Sequence, residues 1–365
     1  MTTKATAAVI REPHGRFSLE AVELDDLRID EILVRIEASG VCHTDAKAQE
    51  RAPMPAVLGH EGTGVVEEVG AAVTRVKPRD RVIISYPSCG TCPNCVEGKA
   101  YICDHAFPLS FAGTRLDGSK TISMNGEWIS SAFFQQSSFA THAITQERNI
   151  VPVEGDHAPE MLAAIPCGIL TGAGAVLNTF KAGPKHSLAV FGTGAVGLSA
   201  VMAGNLAGVS PLIAIDIVED RLRLAHELGA THTLNAKEGS LAARIRDIVP
   251  RGVDFSFETS SDGQAFIAAV DCLSMGGRCG FVTAPNLDDK SPFSPQLILS
   301  HAASVGFIVQ GSGMPNTFLP KIIEWNRLGR FPYERLIRTY DFSEINKAFE
   351  ASHAGLAIKP VLLMP

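Results

Sequence analysis

Ser187-Leu188-Ala189-Val190-Phe191-Gly192-Thr193-Gly194-Ala195-Val196-Gly197 is the stretch whose reading decides the fold of this 365-residue chain. Leu188 to Phe191 form a short, continuous apolar run stopped by glycine, which is what a strand buried on both faces requires. Gly192, Gly194 and Gly197 follow at once in G-x-G-x-x-G spacing, with Thr193, Ala195 and Val196 between them, and they open the apolar helix VGLSAVMAGNLAG. Strand, glycine turn and helix in this order begin a βαβ unit. Its bare turn lets the backbone approach a pyrophosphate, which then sits at the helix N-terminus.

The next strand, LIAID, ends at Asp216, 19 residues after Gly197. A carboxylate there can accept from the adenosine ribose hydroxyls and would repel a 2′-phosphate, so NAD is expected rather than NADP. Arg221 follows five residues later, placed to contact the ribose or, against that expectation, a phosphate. The alternative is a glycine-rich turn followed by a helix-capping Asp. No charged residue lies between His186 and Asp216, a length that could cross a membrane. Gly192, Gly194, Gly197, Gly204, Asn205, Gly208 and Pro211 break that run, and a strand–turn–helix–strand unit explains its apolarity as burial.

Outward from this unit, strands and helices keep alternating from Ala173 to GGRCGFVTA, which predicts a doubly wound parallel sheet of the Rossmann type. Before it, segments such as ILVRIEASG, GTGVVEEVG and DRVIISY are short strands punctuated by Gly and Pro, and they predict a mostly β domain. The expected organisation is an α/β chain with a catalytic domain over 1–168, a cysteine lobe over 86–104 and a coenzyme domain over 169–311. Residues 312–365 are expected to return to the first domain.

Hydrophobic residues make up 45% and charged residues 19% of the chain, with a net charge of −7. No block of Lys and Arg exists to follow a phosphate backbone, so nucleic acid is not an expected partner. The N-terminal apolar run, Ala5 to Ile10, is too short for a signal-peptide core, which makes the cytoplasm the expected location and a membrane unexpected. In such a reducing compartment clustered cysteines bind metal more often than they pair as disulfides.

Four of the 8 cysteines stand as Cys89-x2-Cys92-x2-Cys95-x7-Cys103. Four thiolates at that spacing can close a tetrahedral zinc site with no vacant position, a structural site, the alternatives being a disulfide pair or a plain loop. A second set is dispersed: Cys42 in GVCHTD, His60 in LGHEG and Cys167 in IPCGILTG. Two thiolates and an imidazole leave a tetrahedral zinc one open position, the catalytic pattern, although each residue taken singly is equally at home in a core.

With these constellations in place, the chain resembles the medium-chain zinc-dependent alcohol dehydrogenases over nearly its whole length. GVCHTD, LGHEGTGVVEEVG, the four-cysteine lobe, CGILTGAGAVLN, VFGTGAVGLSAV, ELGATHTLN, VDFSFET and KPVLLM occur in the family's order. FFQQSSFATHA and CGILTGAG look most like aryl-alcohol (benzyl alcohol) and allylic terpene-alcohol dehydrogenases. The resemblance implies a GroES-like first domain, two zinc ions per chain, NAD as cofactor, an alcohol or aldehyde as small-molecule partner, and a homo-oligomer, dimer or tetramer.

It further implies Cys42, His60 and Cys167 as catalytic-zinc ligands. Asp45 would bond the free nitrogen of His60, unless it merely caps a helix, and Glu61 would lie behind the metal. Thr44 would accept the alcohol proton or cap the same helix, while His43 and Lys359 would contact the cofactor pyrophosphate. Ser85, Tyr86, Phe133 and Phe134 would line the substrate pocket, although the phenylalanines fit a core equally well. Where relatives carry a relay histidine this chain has Lys47. Protonated at an ordinary pKa of about 10.4, it makes a poor base, and the proton exit stays open between water, Lys47 and the cofactor ribose. The same fold also carries zinc-free NADPH-dependent reductases, but these lack the metal ligands.

Overall fold

A computed structural model of the chain describes residues 3–283 and 295–365. Two compact units emerge: residues 1–167, 314–321 and 334–365 form the first, and residues 168–313 and 322–333 the second. The chain passes from the first unit to the second after Cys167 and returns at Met314, where boundaries at 168 and 311 were expected. The expected return of 312–365 is corrected in one place, because 322–333 stays with the second unit. Pro315–Arg327 is one continuous helix, and its unbroken periodicity hides the boundary inside it.

In the first unit, Glu31–Gly40 is the central strand. It pairs antiparallel with Gly62–Val69 on one edge and, through Val361 to Leu363, with the strand Lys359–Leu363 on the other. His142–Gln146 also pairs with it. A second antiparallel sheet joins Thr3–Ile10, Ser18–Leu24 and their neighbours. Inward-facing residues of these strands, such as Ile32, Val34, Ile36, Val66 and Val82, form one apolar cluster, so alternation along each strand builds the core. The expectation of a mostly β unit is met.

In the second unit six parallel strands stand in the order His232–Asn235, Leu212–Asp216, Leu188–Phe191, Val253–Glu258, Leu273–Phe281, Ser304–Phe307. Chain order thus reverses between the third and fourth positions, and this topological switch point opens a crevice at the carboxyl ends of the strands. Every residue of Leu188–Phe191 and Leu212–Asp216 is buried, as the continuous apolar runs predicted. The charge-free stretch is therefore strand, helix Ala195–Leu206 and strand. Among the described residues, one helix, Pro159–Phe180, is long and apolar enough to cross a membrane. However, 78% of its most apolar window is buried within the protein, as in a core helix.

Candidate active site and metal centres

The four-cysteine lobe comes together as its spacing predicted. Cys89 Sγ lies 3.9 Å from Cys95 Sγ and Cys92 Sγ 3.9 Å from Cys103 Sγ. Thiolates about 2.3 Å from a tetrahedral zinc have sulfur–sulfur edges of about 3.8 Å, so these residues fit that ion without rearrangement. None of the four is in a disulfide. Main-chain N–H groups supply part of the counter-charge: Thr91 and Cys92 donate to Cys89 Sγ at 3.4 and 3.3 Å, and Cys89 donates to Cys103 Sγ at 3.2 Å. Burial raises the Cys89 thiol, but these donors outweigh it and bring it down to about 5.

Cys42, His60 and Cys167, far apart in sequence, also converge. Cys42 Sγ is 3.9 Å from Cys167 Sγ, and His60 Nε2 is 3.4 Å from Cys167 Sγ, again close to tetrahedral edges. Each ligand is held by a different local device. Cys42 is the N-cap of the helix His43–Arg51. His60 follows Gly59, whose left-handed φ of +94° turns the chain into the site. Cys167 lies in a π-helical turn, Ile165–Ile169, a distortion that redirects side chains and recurs at functional sites. Hydrogen bonding between the two sulfurs separates their acidities, with Cys42 held well below the ordinary thiol range and Cys167 pushed well above it.

Asp45 performs both roles that the sequence left open. Its Oδ1 lies 2.9 Å from His60 Nδ1, while its Oδ2 accepts from the Cys42 main-chain N–H at 2.9 Å. One carboxylate thus orients two candidate metal ligands and leaves His60 Nε2 as the nitrogen facing the sulfurs. Burial opposes a charge on His60, but the Asp45 carboxylate outweighs it and raises the imidazole well above its usual value.

Glu61 is fully buried behind this cluster, and its Oε1, 3.9 Å from His60 Nε2, has no hydrogen-bond partner among the described residues. Its other oxygen is paired with Lys359, which is itself 2% exposed. Burial raises the Glu61 carboxyl to about 7 against the pull of Lys359. Lys359 therefore corrects an expectation. It is enclosed with Glu61, because a buried ammonium needs a charged partner, and it is not presented to a pyrophosphate. The donor set of two thiolates, one imidazole and a carboxylate, all within 4.8 Å of one another, suits zinc.

Phe133 and Phe134 are both buried and both packed on the His60 imidazole, with ring centroids 5.7 and 4.6 Å away. They are core residues that also touch a candidate metal ligand. Phe111 continues this aromatic surface 5.3 Å from Phe134, and Phe107 follows 5.1 Å from Phe111 and is largely exposed. The sequence reading missed this pair, whose i, i+4 spacing on the helix Ala106–Phe111 was its signal. Ser85 is buried, its hydroxyl 3.5 Å from the carbonyl of Pro166, the residue before Cys167. Tyr86 is buried with its hydroxyl 4.0 Å from Met314 Sδ. Thr44 Oγ1 lies 3.8 Å from Cys42 Sγ. His43 and Lys47 are exposed on the helix His43–Arg51.

In the second unit Gly192 ends its strand with a φ of +86°. A Cβ on Gly197 would overlap the Gly192 carbonyl oxygen, so the first turn of the helix closes directly on the strand end. Gly194 is the N-cap of Ala195–Leu206 and brings no side chain to satisfy the first N–H groups, which stay available to an anion. Asp216 does more than the sequence suggested. Its Oδ2 accepts from Thr193 N and Oγ1, both at 2.7 Å, and its Oδ1 from Ile217 N at 2.7 Å. Beside it a cleft of about 570 Å³ is lined by Gly192, Ile217, Leu241, Ser260 and Gln264 among others. Arg221 stands half-buried in the first turn of the helix Glu219–Glu227.

Comparison with known proteins agrees with this geometry. Residues 28–155 match the alcohol dehydrogenase GroES-like domain, and residues 195–325 the zinc-binding dehydrogenase domain. The geraniol dehydrogenase of Castellaniella defragrans is 41% identical over 98% of this chain and 97% of its own length. Among solved structures, an alcohol dehydrogenase zinc-binding domain protein from Burkholderia ambifaria superposes with a TM-score of 0.96 at 41% identity, all of both chains being covered. The benzyl alcohol dehydrogenase of Acinetobacter calcoaceticus does so with a TM-score of 0.95 at 38% identity, also over all of both chains.

Proposed function

The chain belongs to the medium-chain zinc-dependent alcohol dehydrogenase family, and from that premise we propose that it oxidises primary aryl or allylic alcohols reversibly to aldehydes, with NAD as hydride acceptor. The observation that carries the substrate class is the pair Phe133 and Phe134 packed on the metal-ligand histidine, a flat apolar wall beside the reacting centre. Two relatives, named for geraniol and for benzyl alcohol, support the same class.

We assign two zinc ions per chain, one to Cys89, Cys92, Cys95 and Cys103 and one to Cys42, His60 and Cys167. Zinc held by Cys42, His60 and Cys167 would supply Lewis acidity that eases deprotonation of an alcohol hydroxyl, and NAD held at the glycine turn would supply the hydride acceptor. The chain's own residues do the rest. Thr44 Oγ1 accepts the hydrogen bond of the alcohol hydroxyl and relays the proton, releasing its own hydroxyl hydrogen outward to water or the cofactor ribose. Asp45 fixes the His60 tautomer, and the phenylalanine wall orients the substrate and excludes water. Asp216 bonds the ribose hydroxyls and disfavours a 2′-phosphate by charge, while Arg221 and His43 contact the cofactor. Lys47 takes no essential part.

The edge strand Ser304–Phe307 leaves Phe307 54% exposed, which suits the dimer or tetramer that we also propose. A cytoplasmic location agrees with eight unpaired cysteines.

Initial rates for benzyl alcohol, cinnamyl alcohol, geraniol and ethanol, each with NAD and NADP, test the proposal. Burial of a ring or prenyl chain predicts kcat/KM at least about thirtyfold above ethanol, with NAD preferred. Equal or better turnover of ethanol, or a preference for NADP, overturns it.

A further inference from the structure

Between Ser130 and Phe139 the chain forms a strap whose backbone is left-handed at four residues that are not glycine: Ala132, Phe134, Gln135 and Ser137, with φ of 58°, 50°, 52° and 49°. Each such residue carries a conformational cost and persists only where its surroundings hold it. The strap is held largely by its own polar side chains. Ser137 Oγ accepts from Phe133 N at 2.9 Å and donates to the Val57 carbonyl at 2.7 Å.

The two neighbouring glutamines, both buried, reach to different parts of the unit. Gln135 Nε2 donates to the carbonyls of Leu109 and Thr114 at 3.0 and 2.9 Å. Leu109 in turn packs in one cluster with Cys89, Cys92 and Cys103 of the four-cysteine lobe. Gln136 Nε2 donates to the His60 carbonyl, and its Oε1 accepts from Gly62 N, both at 2.9 Å. The amide can stand only this way round, since one partner is an acceptor and the other a donor.

These two bonds bracket Glu61, whose own carbonyl accepts from Gly40 N at 3.1 Å. Further along, Ser138 N and Phe139 N donate to the carbonyls of Gly59 and Leu58, each at 3.0 Å. Leu58, Gly59, His60 and Gly62 are thus each bonded to the strap, and the Gln136 amide stands in for the main chain at the point where the strap turns away. A Cβ on Gly62 would come within 2.7 Å of Ser138 Cβ, so the close approach needs glycine there.

We propose that Gln136 is a positioning residue for the catalytic metal: by fixing the main chain on both sides of Glu61 it sets the directions in which His60 and Glu61 face the ion. Asp45 holds the imidazole through its side chain, and Gln136 holds it through the backbone. This inference rests on the assignment of Cys42, His60 and Cys167 as a metal site.

Gln136→Met removes both bonds at nearly constant length. The readouts are the rate of zinc release to a chelator, the visible spectrum with cobalt(II) in place of the catalytic zinc, and kcat and KM separately. The expected result is catalytic-metal release at least about tenfold faster, a shifted thiolate–cobalt absorption, and a fall in kcat larger than any rise in KM, with the four-cysteine metal retained. A folded Gln136→Met with the wild-type release rate and spectrum overturns the proposal. Should that variant fail to fold, Gln136→Asn, one methylene too short to reach both partners, decides on the same readouts. Wild-type protein that holds no metal at Cys42 would instead refute the underlying site.

Discussion

Asp45 Oδ1 stands 2.9 Å from His60 Nδ1, fully buried, while the other oxygen of the same carboxylate holds the Cys42 main chain at 2.9 Å. One acidic side chain thereby sets the tautomer of one proposed metal ligand and the backbone of another. Asp45→Asn keeps the shape but loses the charge that favours a basic imidazole. It is expected to lower zinc retention or kcat/KM by about ten- to hundredfold. Chelator-release and steady-state rates on the same preparation measure it, and wild-type values in both would show that the contact is only a helix cap.

On the proposed assignment the four-cysteine lobe contributes no reactive group, and a metal held there would act through folding free energy. Cys95→Ala is expected to leave one zinc per chain and to lower Tm by about 5 °C or more. Metal analysis and thermal unfolding of one sample check both. An unchanged Tm would remove the structural role.

Asp216 joins cofactor choice to the geometry of the glycine turn, since the carboxylate that would meet the ribose also holds Thr193 and Ile217. Asp216→Asn is therefore expected to raise KM for NAD by about tenfold or more, the worth of a charge-assisted hydrogen bond. It should narrow the preference over NADP at the same time. Undiminished preference in the variant would place the discrimination elsewhere.

Lys47 is exposed on the helix His43–Arg51. Lys47→Ala is expected to lose less than about a hundredfold in turnover, the scale of a missing general base. A larger loss would make Lys47 the proton exit.

Local patterns were the legible part of this chain. Cys89 to Cys103 gather their side chains from one short stretch, and Gly192 to Gly197 form one strand-to-helix turn. Cys42, His60 and Cys167 are dispersed, so donor chemistry could group them as a candidate set but their spacing could not, and the resemblance strengthened the grouping. Lys359 was misplaced because its partner, Glu61, lies far away in sequence, and nothing around KPVLLM shows that the lysine is enclosed. Gln135 and Gln136 went unread although two adjacent amides among apolar residues are a signal: buried polar groups must find partners, and here the partners are main-chain atoms with no sequence signature.

Zinc per chain, measured in the wild type and in Cys42→Ala and paired with alcohol oxidation on the same samples, tests the central claim most directly. The site predicts two zinc ions in the wild type, and in the variant one zinc with turnover abolished. Retention of two zinc ions or of wild-type turnover by Cys42→Ala would contradict it.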